Sequence, residues 1–94
     1  MTNLNNKVIL VTGSSKGIGK EVAILLAKNG AKIIVNHSNS QKEADATLAE
    51  ITQNGGEAIV IKADVSDRVQ VTELFNKSIE VFGGLDVLIN NAGT

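Results

Sequence analysis

The chain has 94 residues, of which 43% are hydrophobic and 20% charged, and its formal net charge is −1. This length and balance predict one folded domain over residues 1–94, or part of one, built around a hydrophobic core. Like charges do not run together, so we expect neither a nucleic-acid partner nor a polybasic membrane contact. Cysteine is absent and His37 is the one histidine, which excludes disulfides and predicts no metal site. No apolar run approaches the roughly 18 residues of a membrane span, so a cytoplasmic protein is expected.

Four short apolar runs rich in β-branched residues predict four strands, at residues 7–11, 33–35, 58–61 and 87–89. The runs are continuously apolar rather than alternating. This is typical of strands that are buried on both faces of a parallel sheet.

The stretches between these strands predict three helices. The first begins at residue 18, and helical spacing places four apolar residues on one face: Ile18, Val22, Leu25 and Leu26. The second has Ser40 at its N-cap and Glu43 three residues later, the pattern of a capping box. The third covers about residues 67–82, and one of its faces carries Val71, Leu74, Phe75, Ser78 and Phe82.

The alternation of strands and helices predicts an α/β fold with a Rossmann-type parallel sheet. Right-handed crossovers and a return of the fourth strand to the far side of the first give the strand order 3-2-1-4. Ligands of such sheets bind at the carboxyl ends of the strands, where the order reverses. Residues 13–19 and 90–93 would meet at that point.

A glycine-rich turn, Thr12-Gly13-Ser14-Ser15-Lys16-Gly17-Ile18-Gly19, joins the first strand to the first helix. Gly13 allows a tight exit from the strand, Gly17 lets the backbone approach a pyrophosphate, and Gly19 lets the helix pack closely. The spacing Gly-x3-Gly-x-Gly occurs in plain turns as well as in phosphate sites. Its place between a strand and an amphipathic helix favours the pyrophosphate of a nicotinamide dinucleotide.

Two further motifs follow later strands, Asp64-Val65 after the third and Asn90-Asn91-Ala92-Gly93 after the fourth. With the glycine turn, they make the chain resemble the short-chain dehydrogenase/reductases over about residues 7–94. The likeness is greatest to 3-oxoacyl-acyl-carrier-protein reductases and glucose dehydrogenase-like members.

The resemblance implies a Rossmann-type fold and a set of cofactor contacts: Gly13, Ser14, Ser15, Lys16, Gly17, Ile18, Gly19, Asp64, Val65, Asn91, Ala92 and Gly93. It implies that Asp64 bonds the amino group of adenine and that residues 91–93 line the adenosine ribose. Asn90 would hold the fourth strand to its neighbours.

Structural interpretations compete at several of these positions. Asp64 could simply end the third strand, and Ser66 or Asp67 could be an N-cap for the third helix. Residues 90–93 could be a turn, since Asn and Gly tolerate left-handed backbone. Asp86 is interpreted as structural, because it stands at the entrance of the fourth strand.

The segment after the second strand determines whether the site favours a cofactor that carries a 2′-phosphate. A carboxylate there bonds the 2′-hydroxyl of NAD and repels a 2′-phosphate, and this chain has none before Glu43. Lys16 offers positive charge, and Ser38 and Asn39 offer hydrogen bonds. NADP(H) is therefore favoured over NAD(H). His37 is interpreted as a solvated loop residue.

The resemblance also shows what this sequence lacks. The family transfers hydride with a serine and a Tyr-x3-Lys pair that lie beyond the fourth strand, and this chain contains no tyrosine. We therefore identify no catalytic residue and expect no activity from these residues alone. The sequence stops inside the family's fold, as part of a longer reading frame, a truncated gene product or a deliberately cut piece.

Two functions stay open at this point. The first is the NADP(H)-binding part of an oxidoreductase that moves hydride between the nicotinamide and a carbonyl or alcohol. The second is a catalytically inert, free-standing nucleotide-binding or interaction module. In either case one helix must cover the second face of the sheet alone, and the fourth strand has an open edge, so self-association is expected.

Overall fold

The computed structural model describes residues 4–91, which alternate between strand and helix along the chain. The strands are β1 (Val8–Val11), β2 (Lys32–His37), β3 (Glu57–Lys62) and β4 (Val87–Ile89). The helices are α1 (Gly17–Lys28), α2 (Gln41–Gln53) and α3 (Arg68–Phe82). All strand pairs are parallel, and the order is β3-β2-β1-β4. The predicted α/β class and strand order are confirmed.

Each face of the sheet packs against its own helices. Ile9 and Ile33 belong to a core shared with α1 and α2. Leu10 and Ile34, one residue further along each strand, pack on the other face with Leu74 of α3. Because side chains alternate along a strand, β1 and β2 fill both cores with a continuous apolar run.

The face of α1 that contacts the sheet differs from the one that the apolar spacing suggested. Ile18 is 76% exposed and Leu25 is 59% exposed, whereas the buried residues are Gly19, Ala23, Ile24 and Ala27. Leu26 of the predicted face does pack against the core, beside a buried stripe that includes the small residues Gly19, Ala23 and Ala27. Small side chains let the helix axis approach the sheet closely, so Ile18 and Leu25 are turned outward.

The structure confirms the predicted N-cap position of α2 but not the predicted capping hydrogen bonds. Ser40 is the N-cap residue, but no side-chain hydrogen bond caps the helix. The Ser40 hydroxyl is instead 2.6 Å from the Ser15 hydroxyl in the glycine turn. The capping box with Glu43 therefore does not form.

The structure confirms the structural interpretations of Asp67, at the start of α3, and of Asp86, at the entrance of β4. Asp67 is the N-cap of α3, and its carboxylate accepts hydrogen bonds from the backbone N–H groups of Val69 and Gln70. The Asp86 carboxylate accepts a hydrogen bond of 2.8 Å from the N–H of Val8. Asp86 thus holds the start of β4 against β1.

Strand β4 is the least covered part of the sheet. It pairs only with β1 in the strand order, and Val87 and Leu88 are 42% and 48% exposed. Val87 is in register with Ile9 and Leu88 with Leu10, so the two side chains lie on opposite faces. Within residues 4–91, both faces are therefore incompletely covered at β4, and no strand pairs with its outer edge.

Candidate functional site

The glycine turn connects β1 to α1 through two residues in left-handed backbone. Gly13 has φ of 61° and Gly17 has φ of 65°, a region that side chains with a Cβ rarely adopt. A Cβ built on Gly17 would meet no atom of residues 4–91 within 4 Å, apart from its chain neighbours and the backbone of its own helix. The backbone of Gly17 is thus open to a neighbouring molecule, and its conformation favours glycine.

Gly19 serves a different purpose, close packing at the start of α1. A Cβ there would lie 2.5 Å from the carbonyl oxygen of Gly13 and 2.6 Å from Nδ2 of Asn91. The Asn91 amide in turn donates a hydrogen bond of 3.1 Å to that carbonyl, and its backbone N–H donates to Thr12 Oγ1 at 2.9 Å. The segment after β4 therefore supports the glycine turn directly.

Ser14 faces the interior of the protein. Its hydroxyl donates to the carbonyl of Val11 at 2.6 Å and accepts the N–H of Asn36 at 3.0 Å. Its own N–H donates to the carbonyl of Asn36 at 2.9 Å. Ser14 thus continues the pairing of β1 with β2 beyond the end of the strand.

Asn36 is the main organiser of the site, and the sequence analysis did not single it out. Its Oδ1 accepts the N–H of Gly13 at 3.1 Å, and its Nδ2 donates to the carbonyls of Ile61 and Ala63 at 3.3 and 3.2 Å. The side chain is buried, so it joins the glycine turn to the end of β3. A buried amide near the carboxyl end of an otherwise apolar strand was the available signal.

His37 is not a solvated loop residue. It is the last residue of β2 and is 2% exposed. Its Nδ1 accepts the backbone N–H of Ser40 at 3.1 Å, and its Nε2 lies 3.1 Å from Oε1 of Gln41. The ring contributes to the join between β2 and α2.

A cleft of about 190 Å³ opens where β1, β2 and β3 end. It is lined by Gly13, Asn36, Ser38, Ala63, Asp64, Val65 and Ser66. Three predicted segments therefore converge here: the glycine turn, the residues after β2 and the Asp64-Val65 motif. Lys16 and Asn39 belong to the glycine turn and to the segment after β2, and both are exposed. Ala92 and Gly93 lie outside the described residues.

The Asp64 carboxylate is exposed and held by its neighbour. Its Oδ1 accepts hydrogen bonds from the Ser66 hydroxyl at 2.7 Å and from the Ser66 N–H at 2.9 Å. These two bonds favour the charged form, so they hold the pKa of Asp64 below its ordinary value. Asp64 lies beyond the last residue of β3, and its ionised carboxylate stands at the mouth of the cleft.

Two classes of function find no support in the part of the chain that the structure describes. Among residues 4–91, no group of three His, Cys, Asp or Glu side chains could hold a metal ion. None of the described helices is long and apolar enough to cross a membrane.

Comparison with known proteins agrees with this geometry. The sequence profile of the short chain dehydrogenase family matches residues 7–94, nearly the whole chain. The chain belongs to the short chain dehydrogenase family. The turn, the cleft and the β4 segment described above are thus parts of a short chain dehydrogenase fold.

The chain is also similar to individual curated proteins. It is 48% identical over 93 residues to a 3-oxoacyl-[acyl-carrier-protein] reductase of Synechocystis sp., covering 99% of this chain and 38% of that protein. It is 47% identical over 90 residues to a versicolorin reductase of Emericella nidulans, covering 96% of this chain and 34% of that protein.

Solved structures of the family match the whole described fold. A short chain dehydrogenase from Burkholderia cenocepacia, crystallised with NADP, has a TM-score of 0.93 and 43% identity. The alignment covers 99% of this chain and 38% of that one. The chain therefore spans between about a third and two fifths of the length of the relatives it matches.

We predict that Asn36→Ala destabilises the fold by about 1–3 kcal/mol, because three buried or part-buried backbone groups lose their partner. Urea denaturation measures the change. Asn54→Ala is the matched control, since that exposed amide donates only to the carbonyl of Glu50 in its own helix, and it should change stability by less than about 0.5 kcal/mol. Equal losses in the two variants would contradict the organising role of Asn36.

We predict that Ser66→Ala raises the pKa of Asp64 toward its ordinary value, because the variant removes the hydroxyl bond and keeps the N–H bond. A lowered pKa stabilises the fold above the pKa of the unfolded chain, and this contribution is lost as the pH falls through the folded-state pKa. NMR titration of the Asp64 carboxyl carbon measures the shift. Thr72→Ala, which removes an exposed hydroxyl of α3, is the control, and an unchanged pKa in Ser66→Ala would be the contrary result.

Proposed function

We propose that this chain binds the pyrophosphate of NADP(H) at the glycine turn, as the cofactor-binding part of a short chain dehydrogenase. The observation that carries the proposal is the open approach to Gly17. Its φ of 65° and the empty space beside it place bare backbone at the start of α1.

The start of α1 is well suited to an anion. The first N–H groups of a helix have no partner within the helix, and the helix dipole places positive potential there. The N-cap residue of α1 is Lys16, whose side chain makes no capping hydrogen bond. A pyrophosphate would therefore meet backbone donors and a lysine together.

The predicted contacts fall into two groups by the direction of their side chains. Lys16, Gly17 and Ile18 are exposed, and we propose that they contact the ligand directly, with Gly17 offering its backbone and Gly13 its bare Cα. The buried side chains of Ser14 and Ser15 support the turn from inside, as does the packing at Gly19. We propose that this second group positions the first.

The adenosine half of the cofactor would occupy the cleft. We propose that Asp64 and Val65 flank the adenine, with Asp64 accepting a bond from its amino group, and that Asn91, Ala92 and Gly93 line the ribose side. The ionised state of Asp64 supports an acceptor role.

The 2′-phosphate would be recognised after β2. Ser38 and Asn39 are exposed at this point, and the segment between β2 and α2 carries no carboxylate. Lys16 adds a positive charge from the glycine turn. The presence of NADP in the Burkholderia cenocepacia relative supports this choice.

Hydride transfer would take place in the longer protein. The nicotinamide, when bound, supplies or accepts the hydride, and the substrate would be a carbonyl or an alcohol, as the reductase names of the relatives suggest. This chain has no tyrosine, so we assign it no proton-transfer residue and expect no turnover from these residues alone. Membership of the family weighs against an inert module.

We also propose that the 94-residue chain associates with itself through β4. Its edge is open, Val87 and Leu88 are exposed on opposite faces, and an apolar hollow of about 310 Å³ beside Leu74, Phe75 and Leu88 adjoins it. An unpaired edge with apolar flanks is a template for another strand.

We predict that Gly17→Val abolishes binding of NADP(H), because the new side chain fills the approach to the pyrophosphate. Gly83→Val is the matched control. Gly83 also has positive φ, with a Cβ position free of neighbours, but it ends α3. Both variants should lose roughly 1–2 kcal/mol of stability from left-handed backbone, and titration calorimetry should find binding only in the Gly83 variant. Unchanged affinity in a folded Gly17→Val variant would place the phosphates elsewhere.

We predict that the wild-type chain binds NADP(H) more tightly than NAD(H), and that Lys16→Ala narrows this preference about fivefold, the value of one partly exposed charge contact of roughly 1 kcal/mol. Calorimetry with both cofactors measures the ratio. Lys28→Ala, at the other end of α1, should leave it unchanged. Equal or tighter binding of NAD(H) by the wild type would defeat the proposed choice of cofactor.

We predict that the wild-type chain self-associates in sedimentation velocity experiments and that Leu88→Lys returns it to monomer. A lysine blocks edge pairing because its charge would be buried in the new contact. Val69→Lys replaces an exposed apolar residue in the first turn of α3, and this variant should self-associate like the wild type. A wild-type monomer with a stability above about 5 kcal/mol would show that β4 needs no partner.

A further inference from the structure

The imidazole of His37 has a defined tautomer in this structure. A backbone N–H can only donate, so Nδ1 of the ring must accept the bond of 3.1 Å from Ser40. The ring hydrogen then lies on Nε2, 3.1 Å from the Oε1 acceptor of Gln41. Gln41 is fixed in turn, since its Nε2 donates to Asp45 at 2.8 Å.

The bond from Ser40 to His37 closes a four-residue loop, residues 37–40. In an ordinary turn the backbone carbonyl of the first residue accepts the N–H of the fourth. The carbonyl of His37 is committed elsewhere, because it accepts the N–H of Ala63 at 2.8 Å. The imidazole takes its place, and the two residues inside the loop are the exposed Ser38 and Asn39.

The same loop is tied to the glycine turn. The Ser40 hydroxyl lies 2.6 Å from that of Ser15, and the carbonyl of Ser15 accepts the Thr47 hydroxyl at 2.8 Å. Lys16 is the next residue in the chain. The loop after β2 is therefore tied through Ser40 to the backbone of the glycine turn next to Lys16.

We infer that His37 is a positioning residue that sets the preference for NADP(H) over NAD(H). By closing the loop, it holds Ser38 in the wall of the cleft, and Ser38 and its neighbour Asn39 would meet the 2′-phosphate together with Lys16. NAD(H) has no 2′-phosphate and gains little from an ordered loop, whereas NADP(H) would otherwise have to order the loop on binding. The inference rests on the proposed function.

Two substitutions separate the closing bond from the rest of the side chain. In His37→Asn the amide oxygen stands at the δ position and can still accept the Ser40 N–H. In His37→Gln the polar group moves one bond further out, and the δ acceptor is lost. Calorimetric dissociation constants for NADP⁺ and NAD⁺ with the 94-residue chain give the preference for each variant.

The preference is the dissociation constant for NAD⁺ divided by that for NADP⁺. We expect His37→Gln to lower this ratio by roughly 3- to 10-fold, which corresponds to the loss of one hydrogen bond. His37→Asn should restore the ratio to within about twofold of the wild type, and the NAD⁺ constant should change little in either variant. Asn54→Ala, which removes a side-chain bond at the far end of α2, should leave the ratio as it is. A merely structural role would weaken both cofactors alike.

The outcomes distinguish this inference from the proposal on which it rests. A wild-type chain that binds neither dinucleotide would overturn both. A wild type that prefers NADP⁺, with the same preference in His37→Gln, would overturn the inference alone. ¹⁵N NMR of the wild-type ring decides the matter without a variant if His37→Gln does not fold: a hydrogen on Nε2 supports the closed loop, and one on Nδ1 refutes it.

Discussion

The side-chain amide of Asn36 is the contact on which the candidate site depends. It lies near the end of β2, accepts a hydrogen bond from the glycine turn that follows β1, and donates to two carbonyls at the end of β3. A buried amide without partners would be costly, so the three strand ends must keep their mutual positions for Asn36 to stay bonded. The walls of the cleft are therefore set by the fold itself.

The hydrogen bonds that hold the glycine turn come from its interior side. Ser14 bonds β1 and β2 from within, and Asn91 holds the carbonyl of Gly13. Throughout residues 4–91, every buried side-chain nitrogen and oxygen has a hydrogen-bond partner. The interior support leaves the outer face of the turn, at Gly17 and the start of α1, as the side that can meet a ligand.

Sequence patterns predicted the sheet well because its apolar runs have one interpretation. β1 must be buried on both faces, and the crossover rules then leave the order 3-2-1-4. The predictions missed three residues of β2, which are Lys32, Asn36 and His37, and two residues of β3, which are Glu57 and Lys62. Polar residues at strand ends carry no periodic signal, so these ends could not be located.

Other features depended on competition between partners, which a linear pattern does not contain. The α1 helix has two apolar stripes, and only the contact with the sheet selects the one with Ala23 over the one with Leu25. Ser40 could cap its helix or bond Ser15, and the tertiary partner was chosen. His37 is an ordinary loop residue by composition, but its carbonyl bonds Ala63 just after β3 and its buried ring bonds Ser40 and Gln41.

The position of the cleft links cofactor affinity to the persistence of the fold. A molecule held there touches the ends of β1, β2 and β3 at once, so those strands cannot separate while it remains bound. Ligand present at a hundred times its dissociation constant contributes about 2.7 kcal/mol to folding by mass action. That is a large fraction of the stability of a small domain, and it would act on the side of the sheet away from the open edge of β4. The supply of dinucleotide would then set how long such a chain survives proteolysis.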